Sequence, residues 1–177
     1  TFVMEWFTRE EAETDPSFGT MPEKRNIEEL LEKGFVLVDK PFGPTSNQVS
    51  HWVKEELDLK KSGHFGTLDP NATGILPVGI NTGTRIQDAL TKADKEYVFE
   101  ALLEDEKTEQ ELKEKLKSFK GTNQQTPPEH SAVKKEERQR EIYEIELLET
   151  KGPKLLARVK CESGFYVRVL VQQLADK

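Results

Sequence analysis

Residues 62–79 read SGHFGTLDPNATGILPVG, and the rest of the chain is interpreted around this stretch. It contains four glycines and two prolines but no lysine or arginine, although 33% of all residues in the chain are charged. Glycine permits positive φ and close approach of the backbone to a ligand. Pro70 disfavours a helical conformation at Asp69. The pattern therefore predicts a stiff, irregular turn that presents the carboxylate of Asp69.

Taken singly, these residues have ordinary explanations. Asp-Pro commonly starts a turn, and a lone histidine is usually a surface or hydrogen-bonded core residue. The whole string, GHxGxLDPxATGxLPVG, resembles the catalytic motif of the TruB/dyskerin family of RNA pseudouridine synthases. The resemblance implies that Asp69 is catalytic and that His64 contacts the displaced nucleotide or its neighbours. Structural support of the site is then expected from Gly66, Leu68 and Pro70.

Two further segments resemble motifs of the same family. Residues 39–46 read DKPFGPTS and resemble its first motif, which braces the active-site loop, so Lys40 and Pro41 are expected to support the site. Without the resemblance, this segment is a Pro/Gly connection between a strand and a helix. Tyr97 lies in an apolar, aromatic stretch, where a tyrosine is by default half-buried in a sheet. The resemblance implies instead that Tyr97 stacks on the target base.

An arginine interrupts the apolar run that follows Gly164. Arg168 needs an anion there, because a buried guanidinium without a partner is costly. The surrounding CESGFYVR resembles the family's Cys-x-x-Gly-x-Tyr-x-Arg motif, whose arginine pairs with the catalytic aspartate. The resemblance therefore predicts an ion pair between Arg168 and Asp69.

Residues 125–134 read QTPPEHSAVK and resemble the family's Pro-Pro-x-x-Ser-Ala-Val-Lys segment. Positive charge gathers directly after the prolines, on Lys134, Lys135, Arg138 and Arg140. Two interpretations stay open. The segment is either an ordinary charged loop or an RNA-facing loop that contacts phosphates.

Hydrophobic periodicity predicts an α/β (α+β) domain with one mixed, mostly antiparallel sheet flanked by helices. The resemblance implies that this is the pseudouridine synthase catalytic-domain fold. Strands are expected at 35–38, which reads as buried, and at 97–103, 142–148 and 155–161. Helices are expected at 27–33, capped by Asn26, and at 84–93. Three more are expected to begin at a cap on Ser46, at a capping box on Thr108, and after Gly164.

The chain is expected to divide into an N-terminal arm, residues 1–25, and the catalytic domain, residues 26–177. The arm contains Phe2, Trp6, Phe7 and Phe18, which are expected to pack on the body. Members of the resembled family continue into a small RNA-binding PUA domain, so the catalytic domain is expected to be C-terminally incomplete.

Composition narrows the functional classes. The formal net charge of −7 argues against a generally basic nucleic-acid binder, so any RNA contact must be local. A single cysteine fits a reducing compartment, and no apolar run reaches membrane-spanning length. Three scattered histidines and one cysteine form no metal-ligand pattern, and no cofactor is expected. An intracellular location follows: the cytoplasm in an archaeon, the nucleus or nucleolus in a eukaryote.

The resemblance implies conversion of uridine to pseudouridine in rRNA or tRNA, with the chain as catalytic subunit of a guide-RNA particle (box H/ACA type) that also contains small RNA-binding proteins. A stand-alone tRNA pseudouridine synthase and a catalytically idle scaffold remain the alternatives. A glycosidase is disfavoured, because it needs two juxtaposed carboxylates and only Asp69 has a site-like context. Asp69 could attack C1′, attack the uracil ring, or remove the 2′ proton; the sequence leaves these open.

Overall fold

The computed structural model describes residues 10–11, 15, 17–19, 21–128 and 136–175. Its helices are α1 (Ile27–Lys33), α2 (Ser46–Glu56), α3 (Gln87–Thr91), α4 (Glu109–Lys117) and α5 (Val167–Ala175). Its strands are β1 (Phe35–Lys40), β2 (Ser62–His64), β3 (Gly74–Ile80), β4 (Lys95–Leu102), β5 (Gly121–Gln125), β6 (Arg138–Lys151) and β7 (Lys154–Cys161). Short 3₁₀ helices cover Pro22–Lys24 and Asn81–Ile86.

The described strands form two antiparallel sheets, of order β1-β3-β2 and β4-β7-β6-β5. The predicted class, antiparallel sheet flanked by helices, is confirmed. The prediction of one sheet that includes residues 35–38 is wrong, because β1 pairs with β3 and lies apart from β4–β7. The strand β3 was missed because its two glycines and one proline suggest a loop.

The first strand is also less buried than its apolar sequence suggests. β1 lies at the edge of the three-stranded sheet and packs through one face only. Val36, Val38 and Lys40 face inward, whereas Phe35 and Leu37 are 45% and 63% exposed. The expectation of a fully buried strand is therefore wrong for the outer face.

Two apolar cores hold the sheets. The larger core joins the four-stranded sheet to α4 and α5, and it includes Leu112, Leu116, Phe119, Leu155, Val159, Leu170 and Leu174. The smaller core joins α2 to β3 through Val49, Leu76 and Val78. Leu68, directly before Asp69, packs against the edge of the smaller core. The Asp69 turn and the α5 helix thus depend on different cores.

Helix starts follow the predicted caps with one exception. Asn26 caps α1, and Thr108 opens α4 in a capping box with Glu111. The N-cap of α2 is Thr45 and not Ser46, because the Thr45 side chain accepts from the Gln48 N–H. The hydroxyl of Ser46 is used elsewhere, as described below.

Two other predictions concern the helix at 84–93 and the N-terminal arm. The helix expected at 84–93 is instead the 3₁₀ helix Asn81–Ile86 followed by α3. In the N-terminal arm, Phe18 is 82% exposed, so it does not pack on the body. Residues Phe2, Trp6 and Phe7 lie outside the described residues.

In the described part of the chain, none of the helices has the length and apolar character needed to cross a bilayer.

Gly63 and Gly79 are paired in the three-stranded sheet, and its packing predicts different effects of an alanine substitution on stability at the two positions. A Cβ on Gly79 would lie 2.8 Å from Cε1 of Phe65 and 3.0 Å from the Cα of Thr84. We therefore expect Gly79→Ala to lower the free energy of unfolding by about 1–3 kcal/mol. A Cβ on Gly63 would meet only the Thr84 methyl at 3.7 Å, an ordinary contact. Urea denaturation of Gly79→Ala and Gly63→Ala compares their free energies of unfolding, and equal values for the two variants would contradict the prediction.

Candidate active site

The site is defined by an ion pair between residues that lie 99 positions apart. Arg168, in the first turn of α5, donates from Nη2 to Oδ2 of Asp69. The pairing expected from the motifs is therefore present. One premise was wrong, since the two side chains are 51% and 58% exposed. The pair lies at the surface, where a ligand can reach the carboxylate.

The carboxylate is carried by a tight turn. The Asp69 carbonyl accepts from the Ala72 N–H at 3.0 Å, with Pro70 at the second position of the turn. Proline fixes its own φ near the value that this position requires. Gly66 and Gly74 flank the turn with φ of +124° and +127°, a region that disfavours residues with a Cβ. The stiff turn predicted around Asp69 is present.

The segment between β1 and α2 holds this turn from one side. The Gly43 N–H donates to the Pro70 carbonyl at 2.8 Å. Lys40 is fully buried, and its Nζ donates to the carbonyls of Ala72 at 2.7 Å and Pro41 at 3.0 Å. These bonds fix the backbone on the far side of Asp69. They support the expectation that Lys40 and Pro41 brace the site, a role that remains a prediction.

Ser46 fixes the backbone on the near side of Asp69. Its hydroxyl accepts from the Leu68 N–H at 2.9 Å and donates to the Leu68 carbonyl at 3.0 Å. Ser46 is 2% exposed, so little water is available to replace these bonds. Sequence reasoning missed this contact because a serine before a helix is typical of an N-cap.

His64 lies on β2 with both ring nitrogens engaged. Nδ1 is 2.6 Å from the Gly66 carbonyl, and Nε2 is 2.9 Å from Oδ1 of Asn47. A carbonyl only accepts, so Nδ1 carries the proton of the first bond. These bonds fix the orientation of the ring. The contact of His64 with a displaced nucleotide remains a prediction, and Asn47 was not among the residues expected from sequence.

Tyr97 lies on β4 opposite Val159, on the inner face of the four-stranded sheet. It is partly buried against the larger core, which also contains Leu170 and Leu174 of α5. Burial raises the pKa of Tyr97 above its usual value, so the phenol is neutral at neutral pH. Tyr97 thus lies on the face of the sheet that α5 covers.

The basic residues expected to meet RNA are only partly described. Lys134 and Lys135 lie outside the described residues. Arg138 begins β6, is partly buried and lies opposite Gln125. The guanidinium of Arg140 packs against Gly164 and lies 3.6 Å from a carboxylate oxygen of Glu162. In this structure Arg140 therefore turns inward and does not form part of an open basic patch.

The helix that carries Arg168 is tied to β5 near both of its ends. At its start, the side chain of Gln125 hydrogen-bonds both backbone groups of Tyr166. Near its end, Nε2 of Gln173 donates to the Gln124 carbonyl at 2.9 Å. Neither glutamine was expected from sequence. The one available signal was the position of Gln125 directly before the segment with the two prolines.

Among the residues that the structure describes, the remaining chemical groups do not add a second reactive centre. Within the described ranges, no cluster of three or more His, Cys, Asp or Glu side chains could hold a metal ion. Burial raises the pKa of the Cys161 thiol to about 12, so it is a poor nucleophile. The candidate site is thus a half-exposed carboxylate, paired with a guanidinium and held by braced backbone on both sides.

Comparison with known families now identifies the class. Residues 54–167 match the model of the TruB family pseudouridylate synthase N-terminal domain, and residues 3–50 match the DKCLD (NUC011) domain. The first match covers more than half of the chain, includes Asp69 and ends directly before Arg168. The chain belongs to the TruB family of pseudouridylate synthases.

Individual relatives agree with this assignment. A probable tRNA pseudouridine synthase B of Methanopyrus kandleri is 46% identical over 172 residues, which are 97% of this chain and 51% of that protein. The corresponding protein of Archaeoglobus fulgidus is 43% identical over 171 residues, which are 97% of this chain and 53% of that protein. The chain spans about half the length of the curated relatives it matches.

Two solved structures have the same fold. A chain from a Cbf5–Nop10–Gar1 complex superposes with a TM-score of 0.88 at 44% identity, covering 94% of this chain and 50% of that one. A chain from an H/ACA RNP bound to a substrate RNA containing 2′-deoxyuridine gives a TM-score of 0.83 at 41% identity, covering 94% and 49%.

The contacts of Ser46 predict a local effect of its removal. Ser46→Ala leaves the N–H and C=O of Leu68 without a partner, which we expect to lower the free energy of unfolding by about 1–3 kcal/mol. Hydrogen exchange at the Leu68 amide should become faster.

The matched control is Ser50→Ala, on the same helix. Ser50 is buried and its hydroxyl bonds that of Ser62, which keeps its own bond to the Ser50 carbonyl. This variant should leave the protection of the Leu68 amide unchanged. Unaltered Leu68 exchange in Ser46→Ala would show that the hydroxyl does not hold the turn.

Proposed function

We propose that the complete protein is an RNA pseudouridine synthase and that Asp69 is its catalytic carboxylate. The observation that carries the proposal is the ion pair between Asp69 and Arg168, which joins the two segments that resemble the catalytic motifs of the TruB/dyskerin family. The pair is half-exposed on a braced turn, as a group that must reach a nucleotide requires. Membership in the family supports the same reaction class.

The reaction breaks the C1′–N1 bond of a uridine, turns the uracil, and rejoins it to the sugar through C5. The chemistry needs a carboxylate beside the sugar or the base, and Asp69 provides it. Arg168 holds that carboxylate in place and compensates its charge. Attack on C1′, attack on the ring and removal of the 2′ proton are all compatible with this arrangement.

The target base must leave its stack before it can reach Asp69, as in other enzymes that act on bases. Tyr97 is the proposed stacking residue. Its neutral phenol lies on the face of the four-stranded sheet that α5 covers. His64, fixed by Asn47 and Gly66, is proposed to contact the nucleotide or its neighbours.

The substrate class is proposed to be RNA selected by a guide RNA in a box H/ACA particle. The solved structures that share the fold are described as a Cbf5–Nop10–Gar1 complex and as an H/ACA RNP bound to a substrate RNA. The acidity of the chain fits this arrangement, because phosphate contacts supply most of the affinity for RNA and here 33 Asp and Glu residues outnumber 26 Lys and Arg residues. Small RNA-binding proteins would supply the missing contacts.

A second candidate is action on tRNA without a guide. The relatives from Methanopyrus kandleri and Archaeoglobus fulgidus are both named probable tRNA pseudouridine synthase B. Both candidates use the same site, so only the selection of RNA separates them. The archaeal relatives favour the cytoplasm over the nucleus as the compartment in which the protein acts.

The activity test is Asp69→Asn in the complete protein. The amide has nearly the same shape but serves neither as nucleophile nor as base, so pseudouridine formation should fall at least about 10³-fold. Asp58→Asn is the control, because Asp58 is exposed and has a φ of +48°, which asparagine also adopts. Modified uridines are mapped in the RNA after single-turnover reaction.

The same assay is run on a tRNA transcript alone and on a target RNA with its guide and partner proteins. Activity of the unchanged protein only in the second reaction supports guide-dependent action, and efficient turnover of tRNA alone supports the second candidate. Near-normal pseudouridine formation by Asp69→Asn would overturn the assignment of the carboxylate. Inactivity of the unchanged protein in both reactions would favour an idle scaffold.

A further inference from the structure

Gln125 is a deeply buried polar side chain near the site that the proposed mechanism does not use. It is the last residue of β5 and is 2% exposed. Its Oε1 accepts from the Tyr166 N–H at 2.9 Å, and its Nε2 donates to the Tyr166 carbonyl at 3.1 Å. A backbone N–H only donates and a carbonyl only accepts, so the orientation of the amide is fixed by its partners.

Tyr166, the residue that Gln125 holds, directly precedes α5. The Tyr166 carbonyl also accepts from the N–H groups of Val169 and Leu170, the first bonds of the helix. Arg168 is the second residue of α5, so Gln125 acts two residues before the guanidinium that meets Asp69. The first N–H groups of a helix cannot form the regular bonds of its interior, so contacts from outside help to fix its start.

The ion pair itself is too weak to place the helix. A half-exposed carboxylate–guanidinium pair contributes little to stability, because water screens it and both side chains lose freedom. Buried hydrogen bonds behave differently, because a partner left unsatisfied keeps the full cost of its removal from water. The position of the first turn of α5 therefore determines the ion pair, and the reverse effect is small.

The other contacts of α5 with the larger core are apolar. Phe165 and Val167 pack there at its start, and Leu170 and Leu174 bury its middle and its end. The bond from Gln173 to the Gln124 carbonyl also lies near the end. Apolar packing is non-directional and fixes the helix less sharply than paired hydrogen bonds do. The two bonds from Gln125 add directional contacts at its start.

We propose that Gln125 is a positioning residue: it holds the start of α5 so that Arg168 meets Asp69 in the geometry the reaction needs. Gln125 and Ser46 then have matching roles, because the side chain of each hydrogen-bonds both the N–H and the C=O of a residue one or two positions before Asp69 or Arg168. Its effect on the reaction, as distinct from its effect on Arg168, rests on the proposed function.

The first test measures Arg168 directly and needs no activity. In Gln125→Leu, which removes both bonds at similar volume, the NMR signal of the Arg168 side-chain Nε–H should shift and its hydrogen exchange should become faster. The signal is assigned by its loss in Arg168→Gln. The control is Gln124→Leu, on the same strand, where the side chain is exposed and the bond to Gln173 is made by the backbone. This control should leave the signal unchanged.

The second test measures single-turnover pseudouridine formation by the complete protein. A misplaced Arg168 should lower the maximal rate about 10- to 100-fold while KM stays the same, because the RNA contacts are not altered. In the Arg168→Gln background, Gln125→Leu should cause no further loss, since its effect passes through the guanidinium. An equal loss in both backgrounds would show that Gln125 acts elsewhere.

A near-isosteric variant covers the case in which Gln125→Leu fails to fold. In Gln125→Glu the carboxylate still accepts from the Tyr166 N–H but places an acceptor against the Tyr166 carbonyl, so the same changes are expected at smaller size. An unchanged Arg168 signal in the folded variant would overturn the proposal. If the unchanged protein forms no pseudouridine, the proposed function fails, and the Arg168 signal still decides the role of Gln125.

Discussion

The candidate site depends on bringing one carboxylate and one guanidinium together from separate parts of the fold. Asp69 belongs to a turn beside the three-stranded sheet, and Arg168 to a helix packed on the four-stranded sheet. Their ion pair is half-exposed, so it stabilises the fold by about 1 kcal/mol at most. The positions of its two members must therefore be set by stronger contacts elsewhere.

Those contacts are buried polar bonds to the backbone. Lys40 and Ser46 hold the Asp69 turn from both sides, and Gln125 holds the start of α5. Each of the three side chains is 2% exposed or less. Burial makes such bonds costly to break, and their geometry is directional, so they fix position more sharply than apolar packing does. The carboxylate and the guanidinium stay accessible while the backbone under them is rigid.

The sequence was informative wherever chemistry is carried by unusual residues close together. The glycines and prolines around Asp69 predicted its turn, and the two motifs predicted its partner. Local capping patterns gave the starts of α1 and α4. The resemblance also indicated Tyr97, and the structure places it on the face that α5 covers.

What the sequence could not predict depends on contacts between distant segments. Ser46 fits an N-cap equally well, and only the fold reveals Leu68 beside its hydroxyl. Gln125 resembles any polar residue at a strand end until α5 packs over it. β3 was missed because its glycines and proline suit a loop, although Gly79 is required by close packing on Phe65. The burial assumed for Arg168 failed because an apolar run in sequence does not fix which face of a helix is covered.

The central claim is that the Asp69–Arg168 pair serves the reaction and contributes little to stability. The direct measurement is the single-turnover rate of pseudouridine formation by Arg168→Gln, set beside its free energy of unfolding from urea denaturation. We expect the rate to fall about 10²- to 10³-fold while stability changes by less than about 1 kcal/mol. A rate within about twofold of the unchanged protein, or a loss of rate that unfolding fully explains, would contradict the account.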